Sequence, residues 1–128
     1  MGVPKVLIVD DQSSIRRLLT EYFQTVGWQT LAAANGQEAV LKLQESPDVI
    51  LLDMKMPVMD GLETLRHVRS MGKQIPVIMM TAYGELGLLH QAKTLGADDT
   101  VQKPFDLHAL GDKVAELCMA QSLPASTF

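Results

Sequence analysis

The chain contains one cysteine, Cys118, among 128 residues. That excludes an intramolecular disulfide and any zinc-type Cys/His spacing, and leaves Cys118 the ordinary place of a small apolar residue buried on the last helix. No apolar stretch approaches the length of a membrane span, so no transmembrane helix is expected. The start, Met1-Gly2-Val3-Pro4, passes into a strand without a charged n-region, and a reducing cytoplasm is the expected compartment. Basic residues are few and scattered, eleven against fifteen acidic ones for a net charge of −4, which argues against a nucleic-acid surface. No glycine-rich phosphate loop follows the first strand, so a dinucleotide-binding or flavodoxin-type module is disfavoured. Internal repeats, linkers and low-complexity segments are also missing.

What is present reads as one globular domain, with 47% apolar and 20% charged residues. The length allows a proper core. Short unbroken apolar runs, Val6-Leu7-Ile8-Val9, Val49-Ile50-Leu51-Leu52 and Val77-Ile78-Met79-Met80, fit strands buried on both faces of a parallel sheet. A weaker strand over Trp28 to Ala33 suits a sheet edge, and another lies around Val101. Helical segments alternate with these. Ile15, Leu18, Leu19, Tyr22 and Val26 follow the spacing of a core-facing stripe, closed by Gly27. Asn35 with Glu38, and Asp60 with Glu63, resemble capping boxes. The second helix is expected over Gly36 to Glu45. Leu62, Leu65 and Val68 mark the third, Glu85 to Leu95 the fourth, and Leu107, Leu110, Val114 and Leu117 the fifth. The expected architecture is α/β: a single (βα)5 doubly wound parallel five-stranded sheet, order 2-1-3-4-5, with helices on both faces. The domain is expected over 1–120, with a flexible tail over 121–128.

The strands end on chemistry. The first runs into Asp10-Asp11, the third into Asp53, the fourth into Thr81 and the fifth into Lys103-Pro104. In open α/β sheets the ligand site lies outside the carboxyl ends of the strands. Three carboxylates there must share protons or bind a cation, and Mg²⁺ favours such oxygen ligands together with a phosphate. A carboxylate can also attack phosphorus to give an aspartyl phosphate. Taken singly, each residue has a plainer reading: aspartates after strands cap helices and form turns, Asp11 can cap the first helix, and Thr81 and Lys103 can be solvated loop residues. Four strand ends converging on one chemistry by accident is the harder account.

Val-Asp10-Asp11-Gln, Leu-Leu-Asp53-Met-Lys-Met-Pro57-Val-Met-Asp60-Gly61, Met-Thr81-Ala82 and Lys103-Pro104-Phe105 together resemble the signature of response regulator receiver domains, from Lys5 to about Cys118. Within that family, the segments around Gln12, Lys55 and Tyr83 look most like stand-alone phosphorelay intermediates of sporulation. The resemblance implies that Asp53 accepts a phosphoryl group from a phosphohistidine. Asp10, Asp11, the Asp53 carboxylate and the Lys55 backbone carbonyl would hold Mg²⁺. Thr81 would hydrogen-bond the phosphoryl group, Lys103 would pair with it, and the Lys103–Pro104 bond would be cis. Gln12, Ile15, Arg16, Leu18, Tyr83, Pro104 and Phe105, with Lys55, would form a surface for a helical bundle, that of a sensor histidine kinase or a histidine phosphotransferase. Core packing competes with this reading for Ile15 and Leu18. The chain would be a monomeric phosphoacceptor that assists its own phosphorylation and dephosphorylation, not an enzyme in the usual sense.

One position departs from the family pattern. Many receivers carry Tyr or Phe three residues before the lysine, where this chain has Thr100. That aromatic switch cannot operate in its usual form, which favours a relay over a chemotaxis-type switch. A receiver cut from a larger regulator remains an alternative. A haloacid-dehalogenase-type phosphatase is disfavoured, because that family wants Asp-x-Asp after its first strand. The methionines around the site (Met54, Met56, Met59, Met79, Met80) are expected to fill core, not bind soft metals, and His67, His90 and His108 to be exposed. Lys55 and Tyr83 each sit two residues beyond a site residue, where the family controls water access to the phosphoryl group. Tyr83→Ala is therefore expected to shorten the phosphoryl half-life in a decay assay; an unchanged half-life would contradict this.

Overall fold

A computed structural model of the chain describes residues 3–82 and 86–122. Five strands, β1 (Lys5–Val9), β2 (Gln29–Ala33), β3 (Val49–Asp53), β4 (Val77–Thr81) and β5 (Asp99–Gln102), alternate with helices α1 (Ser13–Thr25), α2 (Gly36–Lys42), α3 (Gly61–Ser70), α4 (Leu86–Thr94) and α5 (Leu107–Ser122). All neighbouring strands pair in parallel, in the order β2-β1-β3-β4-β5. This is the expected doubly wound (βα)5 architecture.

The period of two along each strand divides the core in two. Leu7, Val9, Ile50, Leu52, Val77 and Met79 face one way and pack with Ala39, Leu65, Val68 and Ala92 of α2, α3 and α4. Val6, Ile8, Val49, Leu51, Ile78 and Met80 face the other way, against Leu19, Phe23, Leu110 and Val114 of α1 and α5. Strands β3 and β4 are thus apolar up to their last residues, Asp53 and Thr81, because both faces are covered. Edge strand β2 is more exposed. Met54, Met56, Met79 and Met80 are all buried core filler.

Both proposed N-caps form: Asn35 Oδ1 accepts from the Glu38 N–H and Asp60 Oδ1 from the Glu63 N–H, each at 2.9 Å, and the Glu38 carboxylate reaches back to the Ala34 N–H. Gly27 takes φ +96° after α1, a conformation glycine adopts without the Cβ clash of other residues. Three details differ from the sequence reading. The α1 stripe is rotated: Leu18 and Val26 are exposed, and Phe23 is wholly buried instead, stacked edge-on against Tyr22 and Trp28. The large ring three residues before Val26 takes the core position that the spacing assigned to the smaller side chain. The second helix stops at Lys42 and tightens into a 3₁₀ turn over Leu43–Glu45, with Ser46 at φ +56° before Pro47. The last helix continues to Ser122, and residues 123–128 of the expected tail lie outside the described residues. The Lys103–Pro104 peptide is cis. Cys118 is only half-buried on α5. Burial and then the nearby Asp48 push its thiol up to about 11, so it stays protonated and unreactive at neutral pH.

Gly36, at the start of α2, is buried where that helix crosses α3. A Cβ there would overlap the Thr64 hydroxyl and lie 2.8 Å from Met59 Cγ. Gly36→Ala is expected to lower stability by about 1–3 kcal/mol through overpacking, read as a fall in the urea midpoint with an unchanged slope.

Candidate functional site

Strand register gathers the site. Val9 pairs with Leu52, Asp53 with Met80 and Thr81 with Gln102. Asp10 and Lys103, each one residue beyond its strand, therefore reach the same level as Asp53 and Thr81. The carboxylates of Asp10, Asp11 and Asp53 each present an oxygen within 4.8 Å of the others. Asp10 is wholly buried and Asp53 is 7% exposed, whereas Asp11 faces solvent.

Lys103 holds this set together. Its Nζ lies 2.6 Å from Asp10 Oδ2 and 3.2 Å from Asp53 Oδ1. Burial alone would lower the lysine's pKa, but the hydrogen bond it donates to Asp10 and the charges of Asp53 and Asp10 outweigh it, and the ammonium is held more firmly than usual. Asp53 also moves up, which for a carboxylate disfavours the charged form. Burial, then repulsion from Asp10, raises it to about 6 in spite of Lys103. Three carboxylates against one ammonium leave an excess of negative charge in a partly dry site. Hard oxygen donors so placed suit a divalent cation such as Mg²⁺.

Thr81 is buried, and its hydroxyl donates to the Val101 carbonyl at 3.2 Å. The Lys103 N–H donates to the Thr81 carbonyl at 2.7 Å, which fixes the start of the lysine loop to β4. Gly61 closes the signature segment read from the sequence, but the physical reason for a glycine there appears only in the fold. Its N–H donates to the Met54 carbonyl at 2.9 Å, and any Cβ would strike the Asp53 carbonyl. The β3–α3 loop can fold back over Asp53 only with glycine there. Lys55, with Asp11, Met56, Pro57 and Asp60, lines an open cavity of about 410 Å³ beside the carboxylates.

The residues expected at a partner surface are spread around this edge. Gln12 is the exposed N-cap of α1, and its N–H donates to Asp10 Oδ1 at 2.9 Å; Asp11 is not the cap. Leu18 is 43% exposed, Pro104 is exposed, and Ile15 and Phe105 are half-buried against the α1/α5 core. Arg16 is half-buried, with its guanidinium turned towards Asp10. Tyr83 lies outside the described residues. His67, His90 and His108 are exposed on α3, α4 and α5.

A parallel (βα)5 sheet with this acid set at its carboxyl edge and a lysine after β5 is the arrangement expected of a receiver domain. Residues 6–115 match the response regulator receiver domain family, and the chain belongs to it. It is 50% identical over 111 residues to sporulation initiation phosphotransferase F of Bacillus subtilis (strain 168), a match spanning 86% of this chain and 90% of that protein. It is 42% identical over 123 residues to regulatory protein AtoC of Escherichia coli (strain K12), where it covers 95% of this chain but 27% of the relative. Among solved structures, the receiver domain of the Francisella response regulator 1452 superposes with a TM-score of 0.86 at 31% identity, covering 93% of this chain and 99% of that one. The chemotaxis response regulator CheY4 of Vibrio cholerae gives 0.83 at 34% identity, covering 91% and 99%.

The raised Asp53 pKa makes stability depend on pH. Between the ordinary value of 3.8 and about 6, the folded chain holds a proton that the unfolded chain releases. This contribution is therefore full below about pH 4 and lost as pH rises through 6, and the ionised, metal-free site costs roughly 1–3 kcal/mol at neutral pH. Asp53→Asn is expected to raise the thermal midpoint at pH 7.5 in EDTA, with the gain shrinking towards pH 4. A gain independent of pH would exclude this origin.

Proposed function

We propose that this receiver accepts a phosphoryl group on Asp53 from a histidine kinase and passes it to a histidine phosphotransferase, as a single-domain intermediate of a sporulation-type phosphorelay in the cytoplasm. The observation that carries this is the placement of Asp53, almost buried at the end of a central strand, with the Lys103 ammonium bridging it to Asp10. At neutral pH, above its value of about 6, its carboxylate is ionised yet poorly hydrated, which suits a nucleophile towards phosphorus.

In the forward step an Asp53 oxygen attacks phosphorus, the phosphorus–nitrogen bond of the phosphohistidine breaks, and the imidazole leaves with its electron pair. An acyl phosphate forms on Asp53. Transfer onward is the same exchange in reverse with a second imidazole. Lys103, already 3.2 Å from Asp53, balances charge on the incoming oxygens, and the Thr81 hydroxyl exchanges the Val101 carbonyl for a phosphoryl oxygen. Mg²⁺, which Asp10, Asp11, Asp53 and the Lys55 carbonyl would hold, supplies the remaining charge neutralisation that phosphoryl transfer needs. The protein's own task is positioning, without turnover of a separate substrate.

Gln12, Ile15, Arg16, Leu18, Lys55, Pro104 and Phe105 are the surface proposed for both helical partners, and Tyr83, outside the described residues, joins it on the sequence resemblance alone. The exposure of Leu18 supports this, since an apolar residue ringed by polar ones suits a transient interface. Thr100 on β5, in the place of the aromatic switch, together with similarity spanning 90% of the sporulation phosphotransferase, favours a relay over a target-binding switch.

Incubation with acetyl phosphate and Mg²⁺ is expected to add one phosphoryl group by intact mass, lost in Asp53→Asn or with EDTA. The labelled protein should then pass the group to a histidine phosphotransferase. No gain in mass, or a gain that persists in Asp53→Asn, would overturn the assignment.

A further inference from the structure

Arg16 is expected at the partner surface, yet its guanidinium turns back towards the sheet. Nη1 donates a 2.8 Å hydrogen bond to the backbone carbonyl of Asp10, six residues upstream. The connection it reaches is short: Asp10, Asp11 and Gln12 join β1 to α1, and two of these three belong to the acid set. The Gln12 side chain makes no capping hydrogen bond to α1, so the turn is held through Asp10. The Asp10 N–H donates to the Ala33 carbonyl at 3.1 Å. Its Oδ1 accepts from the Gln12 N–H at 2.9 Å and its Oδ2 from Lys103 at 2.6 Å. Arg16 takes the carbonyl. Because Asp10 is wholly buried, that oxygen needs a protein donor.

We propose that Arg16 is a positioning residue of the cation site: by holding the Asp10 carbonyl it sets the direction in which Asp11 presents its carboxylate. The peptide group is planar, so fixing the Asp10 C=O also fixes the nitrogen and Cα of Asp11. Asp10 and Asp53 are held by burial and by Lys103. Asp11 is exposed, so packing does not orient it, and the peptide plane has the larger share. A tilt of that plane swings the Asp11 oxygen away from the 4.8 Å cluster. Mg²⁺ tolerates little departure from octahedral geometry, so a displaced ligand weakens binding.

Charge and geometry make opposite demands here. A guanidinium near the site repels a divalent cation, so its removal should tighten Mg²⁺ binding if charge were its only effect. Positioning requires the reverse, and the sign of the change separates the two. The proposal rests on the reading of the chain as a Mg²⁺-dependent phosphoacceptor.

Mg²⁺ titration calorimetry on the full chain provides the test. Arg16→Ala is expected to bind Mg²⁺ about tenfold more weakly, as loss of an outer-shell partner commonly does. Arg16→Lys, whose ammonium can still donate to a carbonyl, should recover part of the loss. The Mg²⁺ concentration that half-saturates phosphorylation by acetyl phosphate should rise in step with the Mg²⁺ dissociation constant. Arg17→Ala, which removes an exposed side chain paired with Glu21, serves as the control, and a thermal midpoint in EDTA checks the fold. Equal or tighter Mg²⁺ binding by Arg16→Ala, or an Arg16→Lys variant no better than Ala, would overturn the proposal. If the wild-type chain itself fails to bind Mg²⁺, the Mg²⁺-dependent phosphoacceptor reading falls with it; if the wild type binds and Arg16→Ala matches it, only the role of Arg16 falls.

Discussion

The contact of Lys103 with both Asp10 and Asp53 is the interaction on which the site depends. Two carboxylates this deeply buried repel each other and lack hydration, and either would cost several kcal/mol unpaired. The ammonium at 2.6 and 3.2 Å offsets that cost only in part, as the raised pKa of Asp53 shows. The site is therefore stable enough to fold and strained enough to welcome further positive charge. In the proposed function a metal ion and a phosphoryl group would together complete it, and this would tie the folding energetics of the domain to its modification.

The rest of the fold brings these three residues to one place. Parallel pairing in the order β2-β1-β3-β4-β5 puts β1 beside β3 and leaves their ends level, so Asp10 and Asp53 meet from distant parts of the chain. The β4–β5 register does the same for Thr81 and Lys103. Glycine at position 61 lets the following loop cross close behind Asp53. At the far end of the sheet, Arg69 donates to the carbonyls of Lys73, Ile75 and Gly96 and pairs with Asp98 at 3.2 Å, locking the loops that enter β4 and β5. Position at the site is thus supported from both ends of the strands.

Much of this was legible from residue order. Unbroken apolar runs named β1, β3 and β4, and the acids and hydroxyl at their ends, with the lysine after β5, pointed to the candidate site. The capping pairs at Asn35 and Asp60 gave two helix starts to the residue. The α1 stripe was less legible, because Leu18 and Val26 satisfy the helical period as well as Phe23 does, and only packing against α5 shows which side is inward. Arg16 was read as a surface residue because sequence carries no sign of a hydrogen bond to a carbonyl six positions back. Gly36 and Gly61 gave no signal of their own, since a close approach exists only once two elements have been packed.

By itself, then, the sequence determined which residues lie at the strand ends and which chemistry they can perform, because a two-residue period and a strand length are local properties. Only the tertiary structure decided that Lys103 stands between Asp10 and Asp53, that Asp11 stays in water, and that Arg16 faces inward. Those facts depend on distances between segments far apart in the chain. They follow from sheet order, register and the fit of side chains across packed layers, none of which is encoded at a single position.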